Sequence, residues 1–95
     1  MRADLPHGVQ AAQLIHAAGE SSPGKLPTGT FAIALTARDE NHLREIGWIL
    51  FEAGLKTKFI FESDMPYNGQ LMAIGLVPTE RSKARKVLSN LPLLK

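Results

Sequence analysis

Two apolar runs held six residues apart constrain this chain more than any other feature. KTKFIFES (Lys56–Ser63) and QLMAIGLV (Gln70–Val77) read as strands, and DMPYNG (Asp64–Gly69) between them carries Pro, Asn and Gly. A connection that short has no room for a crossover helix, so the strands are either antiparallel neighbours or the two sides of an arch, and pairing is the expected outcome. Pro78 then ends the second strand.

The rest of the chain alternates helical and extended patterns. GVQAAQLIHAA (Gly8–Ala18) predicts a helix with Ala11, Leu14, Ile15 and Ala18 inward and Val9, Ala12, Gln13, His16 and Glu20 on the opposite side. The loop Ser21–Gly29 leads to TFAIALTA (Thr30–Ala37), apolar on both alternation sets, as an interior strand would be. Asp39 is placed to cap a second helix with the stripe Leu43, Ile46, Gly47, Leu50 and Ala53, closed by Gly54-Leu55 in a Schellman ending. Thr79 is expected to cap a third, with Ala84, Val87, Leu88 and Leu91 inward. Arg2–Leu5 reads as the tail of a short or truncated first strand. The expectation is one α/β domain over residues 1–95.

Composition narrows the chemistry. A chain of 95 residues with 44% hydrophobic and 21% charged residues has the balance of a small folded domain. It has no cysteine, and its three histidines lack ligand spacing, so disulfides, thiolate chemistry and a metal site are not expected. No cofactor motif is present. No run approaches the ~20 apolar residues of a membrane span, and MRADLPHG has no apolar signal core, which makes a cytoplasmic location the expectation. Net charge is only +2, yet Arg81, Lys83, Arg85, Lys86 and Lys95 crowd the last fifteen residues without an acid. That distribution suits either a solvated helix face or a phosphate-rich partner.

The run Ala11-Ala12-Gln13-x-x-His16-Ala17, preceded by Arg2-Ala3-Asp4-Leu5, resembles the first-helix signature of the type 2 peptidyl-tRNA hydrolases. Ala53-Gly54-Leu55 and Ala73-Ile74-Gly75 followed by Pro78 extend the similarity along nearly the whole chain. The resemblance implies a three-layer α/β/α fold with a mixed four-stranded sheet, its last strand antiparallel, and hydrolysis of the ester joining a peptide to tRNA. It also places the first strand inside the sheet, so a short one implies a poorly covered edge and with it a homodimer or weak stability. Departures accompany it. The family's lysine falls on Val9, and its Asp-Ala-Gly-x-Thr segment is replaced by Glu62-Ser63-Asp64-Met65-Pro66, which keeps a carboxylate but not the threonine.

Ester hydrolysis needs an oriented water, a proton acceptor and donors for the oxyanion. Histidine titrates nearest neutrality of the side-chain types, which makes His16 the candidate base, with Glu62 or Asp64 to orient it or the water and Gln13 to donate. His7, at the start of the first helix, is a second candidate beside unpaired backbone N–H groups. Arg81, Lys83, Arg85 and Lys86 are the expected tRNA phosphate contacts, and Tyr67 either contacts the terminal adenosine or packs within its own loop. Trp48 sits among Asn41, Glu45 and Glu52 as an edge-of-core or dimer residue. Two further readings share these residues: a tRNA-binding or regulatory module without hydrolase activity, and an enzyme acting on another small substrate.

Overall fold

In the computed structural model, which describes residues 1–26, 28, 30 and 32–94, the elements run α1 (His7–Ser21), α2 (Glu40–Glu52), β1 (Thr57–Glu62), β2 (Gln70–Leu76) and α3 (Arg81–Leu88). Pro27, Gly29 and Phe31, within the expected loop and interior strand, and Lys95 of the basic run lie outside the described residues.

β1 and β2 pair antiparallel, as the short connection predicts, with Thr57 opposite Leu76 and Glu62 opposite Gln70. Ile60 faces Ala73 and Phe61 faces Leu71, so Met72 is an extra residue and the ladder bulges there. The bulge explains how β2 serves two cores. Leu71, Ile74 and Leu76 join Leu43, Ile46, Leu50 and Ala37 beneath α2, while Met72 and Ala73 join Met1, Leu5 and Ala17 beneath α1. On β1 the alternation is regular, and Ile60 and Glu62 look towards α1.

The expected three-layer α/β/α fold with a four-stranded mixed sheet is not formed. Among the described residues there are three helices and one two-stranded antiparallel sheet, a small α+β domain. The expected first and interior strands are reduced to isolated contacts: Arg2 bridges Ala37 in parallel, and Leu35 bridges Leu93 antiparallel. Arg2 N–H reaches Met72 O at 3.4 Å, Ala3 N–H reaches Ala37 O at 2.7 Å, and Leu94 N–H reaches Ala34 O at 2.9 Å. Hydrogen bonding thus continues sideways from β2 through pieces too short to be strands. The physical reason lies in TFAIALTA, where Thr30, Ala32, Ala34 and Thr36 make one of the two alternation sets from small side chains that give little packing to hold a ladder; Ile33 is 63% exposed.

α1 is also turned from its expected orientation. Gln10, Gln13, Ala17 and Ser21 are its buried residues, and Ile15 is 73% exposed. At the helical period this stripe is centred roughly 90° from the expected one. Both glutamines are buried because both are partnered. Gln10 Nε2 donates to Leu5 O at 2.9 Å and Ala3 O at 3.3 Å, and Gln13 Nε2 donates to Glu62. α1 lies so close to β2 that a Cβ on Gly75 would overlap the Ala17 carbonyl oxygen and stand 2.9 Å from the Ser21 side chain. Only glycine fits that position.

α2 follows its sequence closely. Asp39 accepts the His42 N–H at 2.9 Å, Leu43, Ile46, Gly47 and Leu50 are buried, and Gly54 adopts φ +76° with Leu55 N–H bonded to Leu50 O at 3.1 Å. Ala53, expected inward, is exposed. α3 begins after Glu80 without a side-chain cap, so Thr79 does not cap it, and none of its residues is fully buried. Val87, Leu88 and Leu91 nevertheless lean on the α2-side core.

Glu40, in the first turn of α2, ties that helix to the sheet: its Oε2 accepts the Leu71 N–H at 2.8 Å and Arg44 Nη2 at 3.0 Å. Leu71 is fully buried. Glu40→Ala orphans that N–H and is expected to cost about 1–3 kcal/mol in denaturant unfolding, whereas Glu40→Gln, which keeps an acceptor, costs less. The Leu71 N–H holds the Glu40 carboxyl below its usual value, and the hydrogen bond from Arg2 does the same for Asp4. Stability from these two carboxylates is complete above the ordinary carboxylate range and is lost as pH falls through their lowered values. Unfolding midpoints are therefore expected to hold above about pH 5 and to fall below about pH 4, with Glu40→Ala showing a shallower fall.

Candidate active site

The alternation of β1 and the rotation of α1 bring two of the candidate residues together. Gln13, 4% exposed, donates from Nε2 to Glu62 Oε2 at 3.3 Å, and the other oxygen, Glu62 Oε1, accepts the Asp64 N–H at 3.1 Å. Glu62, not Asp64, is thus the carboxylate joined to the first helix. The exposed Asp64 contributes its backbone, and its carbonyl closes the following turn by accepting Tyr67 N–H at 2.9 Å and Asn68 N–H at 3.2 Å. Asn68 and Gly69 take the positive φ values, 44° and 89°, that return the chain into β2.

One buried atom in this group is unpaired. Gln13 Oε1 has no hydrogen-bond partner among the described residues. Exchanging the amide's oxygen and nitrogen would set an oxygen against the Glu62 carboxylate, so the observed orientation is the favoured one. A buried acceptor left over beside a half-buried carboxylate is a place for an incoming donor such as a water molecule or a hydroxyl group.

The imidazoles are further out. His16 lies three residues beyond Gln13 on α1 and His7 is the first residue of that helix; both are exposed, and neither hydrogen-bonds within the described residues. His42 is occupied at the cap of α2, its Nδ1 accepting the Arg38 N–H at 3.0 Å. Val9, one turn before Gln13, packs half-buried against the α1-side core, as does Tyr67. The Tyr67 ring is therefore held in the loop rather than projecting from it.

The basic candidates stand elsewhere. Arg81, Lys83, Arg85 and Lys86 are exposed on α3. Lys83 and Lys86 line a cleft with Lys56, whereas Arg81 and Arg85 border a wider apolar depression on the other side of the helix. Lys56 and Glu62 are at opposite ends of β1, about 20 Å apart along the strand. Lys56 is the basic residue that sequence reasoning missed; the signal was its place directly after the Schellman ending, which fixes the turn from α2 into β1. Arg2 was read as part of a strand and of the motif before the first helix, with no role for its side chain, yet its guanidinium is buried and grips Asp4, Gln70 and the Leu71 carbonyl.

Among the described residues no cluster of three or more His, Asp or Glu side chains is placed to hold a metal ion, and no helix is long and apolar enough to cross a membrane. Comparison with known proteins finds no family model and no curated protein that matches this chain.

Proposed function

We propose that this protein hydrolyses the ester of peptidyl-tRNA in the cytoplasm, releasing free tRNA and peptide. The observation that carries the reading is the 3.3 Å hydrogen bond from Gln13 to Glu62, which joins the helix signature to the carboxylate after β1. In this reading Glu62 accepts the Gln13 Nε2 hydrogen and so aims Gln13 Oε1 at the attacking water, which donates one hydrogen to that oxygen and the other to His16. Water oxygen bonds to the ester carbonyl carbon as His16 takes its proton. Collapse of the tetrahedral intermediate expels the ribose oxygen, which recovers the proton. Arg81, Lys83, Arg85 and Lys86 neutralise tRNA phosphates at the far end of the hairpin. A homodimer belongs to the same proposal: β1 is an edge strand, and Trp48, Phe51, Phe59 and Phe61 are exposed near it, with Trp48 stacked on Phe51 at 5.7 Å.

Val9 favours a second reading, a tRNA-binding module without turnover, because the position matching the family's lysine is an apolar side chain against the core. Release of free tRNA from a purified peptidyl-tRNA, measured beside tRNA affinity, separates the two. Turnover supports the hydrolase. Affinity without turnover supports the module, and neither activity removes both. Sedimentation as a monomer across micromolar concentrations would remove the dimer.

A further inference from the structure

We propose that the cleft between the α2–β1 turn, the segment after β2 and α3 is a binding site for a phosphate-bearing ligand. The cleft encloses about 420 Å³ and receives Lys56, Lys83 and Lys86 from two separate parts of the chain. No acidic residue lines it among the described residues. Lys56, Lys83 and Lys86 form no salt bridge among the described residues, so all three ammonium groups lack a carboxylate partner there. Folding has therefore gathered three like charges around one concavity, an arrangement that an anion relieves.

The remaining wall defines the ligand further. Leu55, Val77, Pro78 and Val87 supply an apolar wall beside the ammonium groups. Thr79 adds a hydroxyl donor. Several donors and no acidic acceptor suit the equatorial oxygens of a phosphate, and the apolar wall suits a sugar or base attached to it. The site is about 20 Å from Glu62 along β1, so it is separate from the candidate hydrolytic group. It does not depend on the hydrolase reading, because a free nucleotide-like compound and a backbone phosphate of RNA present the same chemistry.

The test is an amide NMR titration of the full chain at constant ionic strength, first with pyrophosphate and then with an RNA hairpin. Saturable shifts are expected at Gly54, Lys56, Thr79 and Lys83. The double change Lys56→Ala and Lys83→Ala is expected to weaken pyrophosphate binding at least about tenfold. Lys58→Ala removes a charge two residues away, outside the cleft, and is expected to change it by less than about twofold. An RNA hairpin that competes with pyrophosphate at the same amides assigns the site to backbone phosphate. Saturable pyrophosphate binding without hairpin competition assigns it to a free phosphate compound and leaves peptidyl-tRNA turnover as a separate question. Shifts that grow linearly with pyrophosphate, or equal weakening by Lys58→Ala, overturn the proposal. All substituted lysines are exposed, and a dispersed spectrum checks that each variant is folded.

Discussion

His16→Ala is expected to lower peptidyl-tRNA turnover by about 10² or more while tRNA affinity changes little, within the range for loss of a general acid–base group. His16 is exposed and without hydrogen bonds among the described residues, so its removal disturbs no packing, and a loss of turnover reports on chemistry alone. His16→Gln is expected to behave alike, since it keeps hydrogen bonding but cannot titrate. Glu62→Gln makes the complementary test: the carboxamide still accepts from Gln13, but its NH2 then opposes the Asp64 N–H, so Gln13 is aimed less firmly at the water and turnover falls. Val9→Lys places an ammonium one turn before Gln13, where the lysine stem can lie along the core edge and carry its charge to solvent. In the hydrolase reading this raises turnover. Full activity in the His16 variants removes that residue from the mechanism, and an inactive parent with an inactive Val9→Lys variant leaves the binding module.

Reading local structure from this sequence succeeded where a single residue type decides the outcome. Asp39 as cap and Gly54 as helix terminator each have one inexpensive backbone solution, the six-residue turn between apolar runs allows only pairing or an arch, and the cap, the terminator and the pairing are present. Reading failed where burial depends on a distant partner. Gln10 and Gln13 look like surface residues by polarity, and they are buried because Leu5 O and Glu62 accept their hydrogens from other segments. The same long-range dependence undid the four-stranded sheet. Apolar alternation in TFAIALTA marks a segment able to be a strand, but a strand also needs a neighbour of matching length, and Met1–Ala3 offers a single bridged residue. The candidate site was legible in part: the sequence left Glu62 and Asp64 as alternatives, and strand alternation with the rotation of α1 gives the contact to Glu62. Lys56 was invisible because its relation to Lys83 and Lys86 exists only after α3 folds back beside the α2–β1 turn.

Arg2→Ala is expected to destabilise the fold by about 3 kcal/mol. The Arg2 side chain is 9% exposed and all three guanidinium nitrogens donate: Nε and Nη2 to the two Asp4 oxygens at 2.9 and 2.8 Å, and Nη1 to Gln70 Oε1 at 2.8 Å and Leu71 O at 3.3 Å. Its removal leaves the Gln70 and Leu71 oxygens without this donor in a low-dielectric setting. Asp4, 38% exposed, recovers part of its solvation, which places the cost at the lower end for a broken buried pair. Arg2→Lys retains the charge but cannot span the same fork, so an intermediate loss is expected. For a domain of this size the Arg2→Ala cost corresponds to a drop of roughly 12–24 °C in Tm. A drop below about 5 °C would mean that the fork is not holding the N-terminal segment to β2. The consequence extends to the site, because Gln70 stands opposite Glu62 in the hairpin register. Arg2 fixes Gln70, and Gln70 closes the end of the sheet from which Glu62 reaches Gln13. In the hydrolase reading, turnover of Arg2→Ala measured well below its Tm is therefore expected to fall, whereas any binding of pyrophosphate in the proposed cleft at the opposite end of the hairpin is expected to persist.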